Sequence, residues 1–189
     1  MGVFFKKENL FMSKALGSKY TIETSEKAEE YYEIVKDLLN SDIVKEMKNY
    51  RHHYSTTCYQ HSLNVSYYNY VVCKKLGLNY KQAARAGMLH DLFLYDWRVE
   101  KRKKGELPHG FTHPKKALEN AKQHFDLDKR EEDIIIKHMW PLTVKLPKYP
   151  ESYVIVMMDK YSAMVELGSY FKGKVSSIYK NVKPAKRTH

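Results

Sequence analysis

The sequence predicts an all-α protein, and three observations carry that expectation. Apolar residues recur at helical spacing through most long segments, and Ser, Thr, Asp or Pro stand where those segments begin. Strand-like alternation is scarce: Leu142 to Leu146 alternates, but Pro141 and Pro147 bracket it and make it a loop. A chain of 189 residues, 43% of them apolar, supports one well-buried core and is short for two.

The elements follow in order. Ser25 opens a segment to about Asn40, with Ala28, Tyr31, Tyr32, Ile34, Val35, Leu38 and Leu39 on one helical stripe. Ser41 and Asp42 cap a short continuation to about Asn49. Thr56 or Thr57 caps the next helix, which runs through His61 to Lys75 and ends at Leu76-Gly77. Asn79 begins NYKQAARAGMLHDLFLY, expected to be helical as far as Tyr95. Thr112 caps a helix with Pro114 in its first turn, continuing to about Phe125. Asp128 caps KREEDIIIKHMW, which Pro141 stops. Pro150 opens a helix that Gly168 ends, and a last helix runs from Ser169 to about Asn181. The organisation read from this is an N-terminal segment (1–19), a helical domain (20–180) and a basic tail (181–189).

Composition narrows the setting. No apolar run approaches the roughly 20 residues that span a bilayer. The N-terminus breaks at Lys6 and Lys7, which denies it a signal-peptide core, and Lys6 replaces the Ser or Thr of a myristoylation signal. Cys58 and Cys73 fit reduced thiols, so the expectation is a cytoplasmic protein without a membrane partner. The 33 Lys and Arg against 22 Asp and Glu give a formal net charge of +11, concentrated partly in VEKRKKGE (99–106) and the tail. Such a balance favours anionic ligands. The tail reads as a solvated run, whereas loop 99–106 lies between two segments with polar residues of interest and is expected near a site mouth.

Those polar residues sit in apolar surroundings. Of nine histidines, His52 and His53 fall in a loop, while His61, His90, His113 and His138 fall on apolar helix faces or helix starts. Asp91 lies inside MLHDLF, and Asp159 follows Tyr-Val-Ile-Val-Met-Met. Any one of these alone is an ordinary hydrogen-bonded core residue. As a set, each comes from a different element, and packed helices can point them into a shared centre. Imidazoles with carboxylates suit Fe, Mn, Co, Ni or Zn, and six such groups can hold two ions. Neighbours on a helix project about 100° apart, so His90 and Asp91 can approach one metal from different angles. The two oxygens of Asp91 can bridge. No HExxH or paired-cysteine pattern of a zincin or structural zinc site is present.

The ordered pattern resembles the HD-domain metal-dependent phosphohydrolase superfamily over roughly residues 50–165. It is carried by TTCYQHSLNVS, AARAGMLHDLFLYDW, HGFTHPKKALENA, IIIKHMWPL and VMMDKYSA. The resemblance implies a helical HD-type bundle, with His61, His90, Asp91 and Asp159 on a first metal and His113, His138 and the bridging Asp91 on a second. It implies hydrolysis of a phosphate ester, commonly of a nucleotide, by metal-activated water. His109 is then a candidate proton donor to the leaving group, the alternative being an exposed loop histidine. Arg98, Lys145 and Lys160 are candidate contacts to an anionic substrate, and Trp97 and Trp140 candidate stacking surfaces for a base.

Departures from the pattern matter. Cyclic-di-GMP phosphodiesterases of the superfamily carry a lysine three residues after the Asp and a later GYP; here stand Leu94 and no GYP. Guanosine tetraphosphate hydrolases carry HDxxED where this chain reads HDLFLYD, and single-metal 5′-nucleotidases carry a glutamate where Leu94 stands. KHMWPLT is similar to bacterial HD proteins of open function. Two other readings stand beside the hydrolase: a mixed-valent di-iron oxygenase of the same superfamily, and a non-catalytic basic module binding nucleic acid. No helix-turn-helix or aromatic platform supports specific nucleic-acid binding, and neither metal identity, substrate nor oligomeric state is legible.

Overall fold

In the computed structural model, which describes residues 26–52, 56–99 and 104–182, the described residues form seven α-helices and no strand. They are α1 (Glu26–Asn40), α2 (Asp42–Glu46), α3 (Cys58–Lys75), α4 (Tyr80–Leu89), α5 (His109–His124), α6 (Lys129–Lys137) and α7 (Pro150–Val182). A 3₁₀ turn, Met47–Asn49, follows α2, and Arg51 and Thr57 form an isolated antiparallel bridge. The expectations for residues 1–19 and for Lys183 to His189 lie outside the described residues.

Local chemistry explains most boundaries. Thr57 caps α3, its side chain accepting from the Gln60 backbone N–H at 3.2 Å. Gly77, at φ +69°, supplies the left-handed residue that closes it. Asp128 and Glu131 make a reciprocal capping box at the start of α6. Three boundaries differ from the sequence expectation. α4 stops at Leu89 rather than Tyr95: the Leu92 amide turns back to the Leu89 carbonyl, and Leu94 takes φ +54°. α5 begins at His109, so Thr112 is not its cap and instead donates its hydroxyl to the His109 carbonyl. Gly168 does not end α7, which continues to Val182. A helix-interior Gly costs only about 1 kcal/mol, and no residue here adopts the left-handed turn needed to end the helix.

α3 is the central element, burying 12 of its 18 residues; α4 and α7 pack against it, and Tyr31 of α1 reaches Ser66 and Tyr67 on it. Tyr31, Val35 and Leu38 of α1 meet Leu63 and Tyr70 of α3 and Met88 and Leu89 of α4 in the main core. The α3–α4 crossing is close because α4 presents Ala83, Ala84, Ala86 and Gly87, all buried. A Cβ on Gly87 would lie 2.8 Å from the Ser66 Cα. Polar groups reinforce the contact: Ser66 donates to the Ala84 carbonyl at 2.6 Å and accepts from Tyr31 at 2.9 Å. This crossing delivers the end of α4, with His90 and Asp91 just beyond it, to the first turn of α3, where His61 stands.

Candidate metal centre

Five segments contribute to one buried cluster. His61 comes from α3, His90 and Asp91 from the turn after α4, and His113 from the second turn of α5. His138 is the C-terminal cap of α6, and Asp159 lies on α7. The structure thus brings together all six residues singled out as metal ligands. Asp91 is at the centre: His113 Nε2 lies 3.3 Å and His138 Nε2 3.7 Å from Oδ1, while His90 Nε2 lies 3.4 Å and His61 Nε2 3.9 Å from Oδ2. Asp159 Oδ1 is 2.9 Å from His61 Nε2 and 3.9 Å from His90 Nε2.

The backbone sets the histidine tautomers. His90 donates Nδ1–H to the Gly87 carbonyl at 2.8 Å, His113 to the His109 carbonyl at 2.9 Å, and His138 to the Ile135 carbonyl at 2.8 Å. Each ring is thereby held with its Nε2 lone pair aimed inward, as outer-shell partners hold metal-ligating histidines. His113 and His138 Nε2 approach to 2.7 Å. Burial, with His113 and His90 alongside, pushes His138 down to about 3, so its Nε2 carries no proton at neutral pH. His90 Nε2 and Asp91 Oδ1, both buried, have no hydrogen-bond partner. Facing lone pairs and an orphaned carboxylate oxygen are costly unless a cation lies between them, and imidazole with carboxylate is the donor chemistry of divalent transition metals. The residues fit a divalent metal ion held by imidazole and carboxylate donors.

The electrostatics divide this cluster in two. Burial opposes charge on His61, but Asp159 and Glu166 on opposite sides raise it to about 10. Burial likewise opposes the Asp91 carboxylate, yet His90, His52 and His113 hold it well below its usual range. Asp159 is held low against burial by His61 and His90.

Two residues of the cluster escaped the sequence reading. His52, placed in a loop, is buried there, with Nε2 2.8 Å from Asp91 Oδ2 and its ring stacked 3.8 Å over His61. Glu166 on α7, wholly buried, accepts from His61 Nδ1 at 3.0 Å. Its seven-residue spacing from Asp159, two helical turns, was the one available signal. His52 had none, because a loop has no periodicity to read.

A cavity of about 1300 Å³ opens onto the cluster, reaching His52, Asp91, His113, His138 and Asp159. His109 is on its wall rather than in a loop: its ring stacks between Trp97 (5.2 Å) and His113 (4.5 Å), and Nδ1 is 2.9 Å from the Tyr95 hydroxyl. Lys160, Trp97 and Trp140 also line the cavity, as do Lys115 and Lys116, which the sequence did not single out. Arg98 and Lys145 do not line it. Arg98 is turned to Asp96, which its guanidinium meets at 2.7 Å, and Lys145 is exposed in the loop before α7. Glu106 brings the end of loop 99–106 to the cavity, while 100–103 lie outside the described residues.

A family model described as HD domain matches residues 58–164, more than half of the chain, so this protein belongs to the HD domain family of metal-dependent phosphohydrolases. The match takes in every one of the six residues above. Similarity to curated relatives is local. Ribonuclease Y of Geobacter metallireducens and of Geobacter sulfurreducens are each 54% identical over 43 residues, 23% of this chain. Ribonuclease Y of Geotalea uraniireducens matches equally. The chain covers only 8% of the length of these relatives. No solved structure matches this chain. Cys58 and Cys73 are both buried free thiols, and no described helix is long and apolar enough to cross a membrane.

Proposed function

We propose that this chain hydrolyses a phosphate ester of a nucleotide or small phosphorylated metabolite, using two divalent metal ions held by His61, His90, Asp91, His113, His138 and Asp159. The observation that carries the reading is the inward convergence of three backbone-fixed Nε2 lone pairs on Asp91. Ions bound there supply Lewis-acid polarisation of phosphoryl oxygens and a water acidic enough to attack at neutral pH.

The chain's own groups do the rest. Asp91 presents one oxygen toward His113 and His138 and the other toward His61 and His90, which suits a bridging carboxylate. Lys160, Lys115 and Lys116 place positive charge along the cavity for the anionic ester. Trp97 and Trp140 offer faces on which a base stacks. His109, held by the Tyr95 hydroxyl, gives its proton to the departing oxygen. A cavity of about 1300 Å³ exceeds what inorganic phosphate needs and accommodates a nucleotide. The ribonuclease relatives place an oligoribonucleotide among the substrates to be screened.

The test is phosphate release from a panel of nucleotides and sugar phosphates, and strand cleavage of a short oligoribonucleotide, with Mn²⁺, Fe²⁺ or Co²⁺ added. Wild type is expected to turn over at least one, and Asp91→Ala to lose that activity by about 10³-fold or more, as loss of a bridging ligand removes both ions' geometry. Absence of any turnover together with oxygen consumption by the ferrous protein would overturn the hydrolase reading.

A further inference from the structure

We propose that Glu166 is a positioning residue, one that orients His61 and strengthens it as a metal ligand; the inference rests on the metal-centre reading above. Asp159 and Glu166 lie two turns apart on the same face of α7 and meet opposite nitrogens of one imidazole. Asp159 Oδ1 is 2.9 Å from Nε2, and Glu166 Oε1 is 3.0 Å from Nδ1. His61 therefore differs from the other three site histidines, whose Nδ1 groups all donate to neutral backbone carbonyls.

The carboxylate is itself held in place. Asn64, three residues after His61 on α3, donates Nδ2–H to the same Glu166 oxygen at 2.9 Å. Gln60 donates to the Asn64 carbonyl oxygen at 2.8 Å, which fixes the amide with its nitrogen toward Glu166. The side chain of Glu166 is fully buried, and its second oxygen has no hydrogen-bond partner. A buried carboxylate with a vacant acceptor costs several kcal/mol, whereas a glutamine there would complete the same bonds without charge. The charge is accounted for by what it does to His61: a carboxylate on Nδ1–H makes Nε2 a more basic donor than a carbonyl does, and such partners govern metal affinity about 10–100-fold.

The full chain, stripped of metal, is titrated with Co²⁺ against a competing chelator, and its thermal melting is measured alongside. Glu166→Gln keeps size and the acceptor for His61 but loses the charge paired with it, so the metal-free variant is expected to melt only slightly below wild type while Co²⁺ affinity falls roughly 10–100-fold. Glu166→Ala is expected to lose both. Equal Co²⁺ affinity of Glu166→Gln and wild type overturns the inference and leaves the metal centre standing. So does an affinity loss matched by a loss of metal-free stability in Glu166→Gln, which would mean Glu166 acts through the fold. A wild type that binds no Co²⁺ overturns both readings.

Discussion

At Asp91 five imidazoles close around one carboxylate within 4 Å: His52, His113, His90, His138 and His61. Such a group is tolerable only while its partners remain, because removing one member of a buried charged network strands the others. Asp91→Ala is expected to lose bound metal and to lower metal-free stability by about 3 kcal/mol, read by urea unfolding. At this scale much of the site was legible. His90 and Asp91 stood out because they interrupt MLHDLFLYDW, and His61, His113, His138 and Asp159 because each breaks an apolar face. Glu166 was hidden because a glutamate in AMVEL reads as a helix-surface residue until α3 is packed beside it. Arg98 and Lys145 were suggested by their closeness in sequence to the ligands. The structure turns the first to Asp96 and places the second away from the cavity wall, since sequence neighbours past a helix end diverge in space.

The crossing of α3 and α4 is the element on which the centre depends. Gly87 allows it, since any side chain there meets the Ser66 backbone, which cannot swing aside as a flexible side chain would. Gly87→Ala is expected to destabilise the protein by about 1–3 kcal/mol, the ordinary cost of overpacking. It is also expected to weaken metal binding, because His90 Nδ1 bonds the Gly87 carbonyl and moves with it. Thermal melting and Co²⁺ titration of one preparation check both. Helix existence was readable from periodicity and caps, as with Thr57, Asp128 and Pro150. Two ends were not. α4 continues its apolar pattern through Phe93, but the chain turns at His90 to present ring and carboxylate together. Gly168 carries a stop signal that α7 overrides, because a single glycine weakens a helix without supplying a turn.

Across the whole molecule, the buried histidines tie stability to pH in opposite senses. His138 falls from 6.5 to about 3 on folding, so its contribution is complete above pH 6.5 and is lost as pH falls from there toward 3. His61 rises from 6.5 to about 10, so its contribution is complete below pH 6.5 and is lost as pH rises toward 10. The metal-free protein is therefore expected to be most stable near pH 6.5, as denaturant midpoints across pH would read. Binding of metal to His61 requires the Nε2 proton to leave, so added metal is expected to stabilise more strongly as pH rises from 6.5 toward 10. The most direct measurement of the central claim is metal analysis of the purified protein combined with an anomalous-scattering map of its crystals. Two ions are expected, with Asp91 touching both, His61, His90 and Asp159 on one and His113 and His138 on the other. A folded protein with no ion at this cluster, or ions bound only elsewhere, would contradict the account.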